Sequence, residues 1–256
     1  MKIIDTHSHI FEAEFDEDID EVLDRARKAG ITKILLPNID VSSIDRVNGL
    51  SARYPDLCLP MMGLHPTSVT ADWESDLEKI RSWFDIHKYV GVGEVGIDLY
   101  WDKTLEAEQK KAFEEQLRWS IEYNLPVSIH SRDAITECVN CVKNVGASKL
   151  RGVFHSFGGD ESELYNILAL GNFYLGINGV VTFKNSTLST VLKNTDLSKI
   201  VIETDSPYLA PVPYRGKRNE SSYCPLIINK LSEIYNTDVV EVSEITSKNA
   251  SVLFGI

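Results

Sequence analysis

Residues 3–11 read IIDTHSHIF, and the histidines His7 and His9 stand one residue apart where a short apolar run stops. If the chain stays extended there, Asp5, His7 and His9 share one face, so two imidazoles can hold one cation. By itself the pair is equally the polar end of a strand. Ligands arriving from elsewhere decide between the two, and five of the six histidines (His7, His9, His65, His130, His155) terminate apolar runs, as do Glu94 and Asp205. The sixth, His87, lies in the charged stretch WFDIHKY and reads as a surface residue.

Taken singly, His65, His130 or His155 would more often be a hydrogen-bonded core histidine. Together, four imidazoles and two carboxylates exceed the three protein ligands and water of a catalytic zinc. They suit a pair of divalent ions: His7, His9 and Asp205 on one, His130 and His155 on the other, with Glu94 bridging. Two cations about 3.5–4 Å apart can hold a hydroxide and offset charge on attacking and leaving oxygens, which is hydrolytic chemistry. Asp5 and Glu203, two residues before a ligand, are placed to orient imidazoles. Zinc suits the imidazoles, whereas magnesium or manganese suits carboxylates and phosphates.

These residues need a scaffold that brings distant strand ends together. Short apolar runs are expected as strands at 2–6, 31–37, 58–64, 90–95, 126–130, 151–155, 172–177 and 199–204. Amphipathic segments alternate with them, among them Asp18 to Ala29, stopped by Gly30, and Leu105 to Tyr123, where Phe113, Leu117 and Ile121 recur at helical spacing. Eight β and about eight α segments in alternation predict a (β/α)8 TIM barrel, an α/β fold in which functional groups gather at the C-terminal strand ends. An open doubly wound sheet is the alternative. No linker or internal repeat divides residues 1–256, so a single domain is expected.

Composition narrows the function classes. With 43% hydrophobic and 25% charged residues the chain has ample material for a core. Asp5 interrupts the first apolar run before a signal peptide can form, and no run approaches a membrane span, so a cytoplasmic protein is expected. Four scattered cysteines do not make a disulfide framework, and Cys138 and Cys141 read as two thiols on one helix face. A net charge of −12 argues against a partner held by a broad basic surface, so any nucleic acid must be gripped locally.

Several longer stretches resemble the TatD-type metal-dependent deoxyribonucleases of the amidohydrolase-like barrels. The resemblance is carried by DTHSH at 5–9, GLHP at 63–66, GEVGIDLY at 93–100, QKKAFEEQL at 109–117, LPVSIHSRDA at 125–134, FHSF at 154–157, GVVTFKN at 179–185 and ETDSPYLAPVPYRGKRNE at 203–220. It implies a (β/α)8 fold, a two-metal site built from His7, His9, Glu94, His130, His155 and Asp205, and hydrolysis of DNA phosphodiester bonds. Many relatives carry a second histidine where this chain has Thr67, and often a proline near Ser221 and Ser222.

On this reading Asp205 takes a proton as general base, and His65 and Arg132 donate to phosphate oxygens. The run Tyr214, Arg215, Lys217 and Arg218 holds a strand's backbone and a base. The expected partner is DNA, as single strands or ends, with no membrane, and the chain is expected to be a monomer or weak oligomer. Hydrolysis of a small-molecule amide or ester is the alternative activity, and a barrel kept for binding with structural ions is a third.

Overall fold

Eight apolar runs become eight parallel strands in the computed structural model, which describes residues 1–256: β1 (Ile3–Asp5), β2 (Ile31–Leu36), β3 (Cys58–Pro60), β4 (Val92–Gly96), β5 (Val127–His130), β6 (Gly152–Phe154), β7 (Phe173–Ile177) and β8 (Ile200–Ile202). They pair in chain order as β1-β2-β3 and β4-β5-β6-β7-β8. Both seams are closed by backbone. Met62 bridges Val92 and Ser8 bridges Ser206, while Gly93 N–H donates to Met62 O (3.0 Å) and Thr6 N–H to Ile202 O (2.9 Å). The sequence thus closes into a (β/α)8-type ring.

The helices between are α1 (Ile19–Lys28), α2 (Ile44–Arg53), α3 (Trp73–Ser82), α4 (Glu106–Glu122), α5 (Ile135–Val145), α6 (Glu161–Leu168), the single turn α7 (Leu188–Val191), α8 (Cys224–Tyr235) and α9 (Val239–Phe254). The helical periods expected at 18–29 and 105–123 become α1 and α4. Gly30 takes φ 93° after the first, and Phe113 and Leu117 of the second are fully buried. Burying each such side chain contributes about 1.5–3 kcal/mol. Cys138 and Cys141 are buried free thiols on α5, and no helix is long and apolar enough to cross a membrane.

Strand alternation builds two apolar layers. Ile3, Ile34, Ile200 and Ile202 join the large core under the helices. Ile4, Leu35, Val153 and Val201 form a second cluster with Ala250, Leu253 and Phe254 of α9.

Every strand is shorter than the run expected for it, and in β3 and β1 the reason bears on the rim. Pro60 has no N–H for the ladder, so β3 stops there instead of running to 64. β1 stops at Asp5, and the residues beyond it leave strict alternation, which matters for the site.

The β4–β5 junction is tight. Gly96 has φ 146°, and a Cβ on it would lie 2.0 Å from His130 O. Gly96→Ala is therefore expected to lower the melting temperature by at least about 5 °C, read by calorimetry. An unchanged melting temperature would show that this approach is not constrained.

Candidate metal centre

Backbone pairing past the strand ends assembles the cluster. Asp205 N–H donates to His7 O (2.9 Å) and His9 N–H to Ser206 O (2.7 Å), which sets the segment after β1 against that after β8. Asp205 takes a left-handed φ of 59°, a conformation Asp tolerates better than most residues.

The β4 side chain Glu94 is buried at the hub. Its Oε2 lies 3.0 Å from His7 Nε2 and 3.3 Å from His9 Nε2. Its Oε1 lies 2.7 Å from His130 Nδ1, 2.8 Å from His155 Nε2 and 3.3 Å from His65 Nε2. Asp205 Oδ1 joins the first group, 3.6 Å from His9 Nε2 and 3.9 Å from His7 Nε2. One carboxylate thus faces two sets of imidazoles through opposite oxygens. His87 lies apart from them on the surface.

The far sides of the rings are held as well. Asp98 Oδ2 accepts from His130 Nε2 (2.9 Å), which leaves Nδ1 facing the cluster. The Ser128 hydroxyl lies 3.1 Å from His7 Nδ1. Glu203 Oε1 is 3.4 Å from His155 Nδ1 and accepts from Ser156 N–H (2.5 Å), as expected of a group orienting an imidazole. Glu203 fits only because residue 176 is glycine: a Cβ there would stand 2.1 Å from its Oε2.

Asp5 corrects the expectation made for it. β1 ends at Asp5, so the alternation that would put it beside His7 and His9 does not continue. Its carboxylate instead accepts from Thr204 N–H (2.9 Å), Thr204 Oγ1 (2.7 Å) and Ser221 Oγ (2.6 Å). Burial pushes it up to about 7 against those bonds. Ser221, at one of the chain's departures from the common pattern, is part of this tie.

His65 is closer to the hub than a remote phosphate donor would be. It precedes a 3-10 turn, Pro66–Ser68, and its Nδ1 accepts from Thr67 N–H (3.2 Å). With Nδ1 accepting, the neutral ring carries its hydrogen on Nε2, which faces Glu94 and His130. Burial lowers the pKa of that ring, with Glu94 acting in the opposite direction.

The grip residues divide. Arg132 lies over the Tyr100 ring, 3.7 Å from its centroid. Tyr214 stacks on Tyr223 (4.3 Å), with Lys217 Nζ 5.9 Å from the Tyr214 ring, and Arg215 covers Phe183. Arg218 does not extend into the mouth as expected: it pairs with Asp18 through both amino groups (2.8 and 2.6 Å). Asp18 is 200 positions away in sequence, so local reading of a basic run misses it.

Asp98 and Ser128 are the functional residues that sequence reasoning passed over. Ser128 is two residues before His130 on one strand, and Asp98 is four after Glu94. Those spacings were the available signals.

Against this geometry, comparison with known proteins is decisive. The family model for TatD related DNase matches residues 4–255. The chain belongs to the TatD-related DNase family. It is 35% identical over 255 residues to the metal-dependent hydrolase YabD of Bacillus subtilis (strain 168), covering 99% of each chain. It is 30% identical over 259 residues to the 3'-5' ssDNA/RNA exonuclease TatD of Pectobacterium parmentieri (strain WPP163), covering 98% of this chain and 99% of that one. The solved structure of YjjV, a TatD homolog from Escherichia coli k12, superposes with TM-score 0.93 at 28% identity, covering 99% and 98%. As a TatD-family member the chain is a metal-dependent hydrolase, with His and Glu groups able to bind metal.

The donor set fits cations on its own chemistry. Burial alone would raise Glu94, but His155, His65 and His7 hold it well below the usual carboxylate range. Burial opposes protonation of His9, yet Asp205 and Glu94 raise it to about 9. His155 is likewise raised by Glu94 and Glu203. Protons thus stand where cations would, and His9 Nδ1 is buried without a hydrogen-bond partner.

A cation must displace those protons, so its affinity should rise with pH toward about 9 and fall as pH drops and His9 and His155 hold protons more fully. Calorimetry of Mn²⁺ binding in two buffers of different ionisation heat should show net proton release at pH 7. Equal heats in both buffers would contradict it.

Proposed function

We propose that the chain hydrolyses DNA phosphodiester bonds, at single strands or ends, with two divalent ions held by the histidine cluster. The observation that carries this reading is Glu94, whose two oxygens face separate imidazole sets. His7, His9 and Asp205 would hold one ion, His130 and His155 the other, and Glu94 both. The Pectobacterium parmentieri relative, a 3'-5' ssDNA/RNA exonuclease, supports the choice of substrate.

Ions held there supply Lewis acidity, lowering the pKa of water and offsetting charge on phosphoryl oxygens. The residues do the rest. Asp205 is the most solvent-accessible carboxylate of the cluster, its side chain 15% exposed, and His9 helps keep it ionised against its burial. Its carboxylate takes the proton of the attacking water through the oxygen that is not turned to His7 and His9. His65 Nε2–H donates to a phosphoryl oxygen, the neutral ring being oriented by Thr67. Arg215, Lys217 and Tyr214 hold the backbone and a base at the mouth, and Arg132 donates to a phosphate oxygen. The carboxylates Asp98 and Glu203 keep His130 and His155 in place.

Metal-stripped protein restored with Mg²⁺, Mn²⁺ or Zn²⁺ should shorten an end-labelled single-stranded oligonucleotide. Glu94→Ala should lower the rate at least about 100-fold with every ion. No cleavage by the wild-type protein with any ion, despite ion binding, would move the activity to a small-molecule ester or amide.

A further inference from the structure

Beside the metal centre lies an aromatic pair that the proposed chemistry leaves unused. Trp101 is 71% exposed, more than any other large apolar side chain, and Tyr100 next to it is 52% exposed. Their rings meet edge to face, with centroids 4.9 Å apart. Arg132 covers one face of Tyr100 and lies 5.2 Å from the Trp101 centroid.

This group is not a loose surface feature. The Asp98 carboxylate that holds His130 through Oδ2 accepts through Oδ1 from the backbone N–H groups of Tyr100 (3.0 Å) and Trp101 (3.3 Å). Asp98 is itself clamped by Gln109, whose Oε1 accepts from Asp98 N–H (2.8 Å) and whose Nε2 donates to Asp98 O (3.2 Å). Leu99 N–H donates to Arg132 O (3.0 Å), tying the loops after β4 and β5 together. One buried carboxylate therefore sets the aromatic pair in register with a histidine of the metal centre.

Resting on the nuclease reading, we propose that Trp101, backed by Tyr100 and Arg132, is a stacking platform for an unpaired base of the strand whose phosphate enters the site. An exposed indole beside a guanidinium offers what a nucleotide presents, a π-face next to a negative charge. Bases inside a duplex are already stacked on both faces and cannot use it. The platform thus selects single strands and frayed ends, and it does so in a chain of net charge −12 that lacks a general electrostatic grip on duplex.

The test measures cleavage of an end-labelled oligothymidylate by ion-restored wild-type protein, Trp101→Ala and Tyr165→Ala. Tyr165 is a half-exposed aromatic on α6, its hydroxyl bonded only to Glu161. Trp101→Ala should raise KM about tenfold, equivalent to about 1.4 kcal/mol, with kcat kept within about twofold. Tyr165→Ala should match wild type. Removing the terminal bases to leave abasic sites should cost the wild type the same factor and cost Trp101→Ala nothing. In parallel, the metal-free proteins are titrated with the same labelled oligonucleotide and binding is followed by anisotropy, where Trp101→Ala should weaken binding to a similar extent.

An unchanged KM, or an abasic penalty that persists in Trp101→Ala, would overturn the platform. If the wild type cuts nothing with any ion, the nuclease reading fails, and the anisotropy arm still decides the platform: binding weakened by Trp101→Ala supports it, and equal or absent binding overturns it.

Discussion

A carboxylate taken out of water is costly unless positive charge or donors replace its hydration, and Glu94 is buried with five imidazoles around it. That compensation organises the mouth of the barrel. The five imidazoles arrive from four different strand ends or turns, so the cluster exists only when the ring closes. The backbone bonds at both seams are thus as much a part of the site as the ligands, since one draws His7 and His9 to Asp205 and the other fixes the residues flanking Glu94.

Outside the imidazoles stands a second ring of polar groups that decides which nitrogen faces inward. Asp98 does this for His130, Ser128 for His7, Glu203 for His155 and Thr67 for His65. At the departure from the pattern of many relatives, the Thr67 hydroxyl adds a contact of its own, 2.7 Å from His65 Nδ1. A backbone N–H on Nδ1 makes His65 a donor at Nε2 and distinguishes it from the other four rings, whose lone pairs are available to cations.

The fold was legible because parallel strands covered on both faces read as nearly unbroken apolar runs, and because polar residues that end such runs gather at one rim. His7, His9, Glu94, His130, His155 and Asp205 could be collected on that basis, and they do converge. What was not legible depends on partners far away in sequence. Arg218 read as part of the grip because Asp18 is remote, and Asp98 was passed over because its partner His130 lies on another strand. Asp5 was misplaced for a local reason: alternation was extended past the point where β1 ends.

The central claim is that Glu94 divides the cluster into two cation positions. Diffraction from crystals soaked in Mn²⁺, with anomalous maps at the manganese edge, tests it most directly. Two peaks should lie on either side of Glu94, one among His7, His9 and Asp205 and the other between His130 and His155, with His65 outside both. A single peak, or a peak coordinated by His65 Nε2, would contradict it.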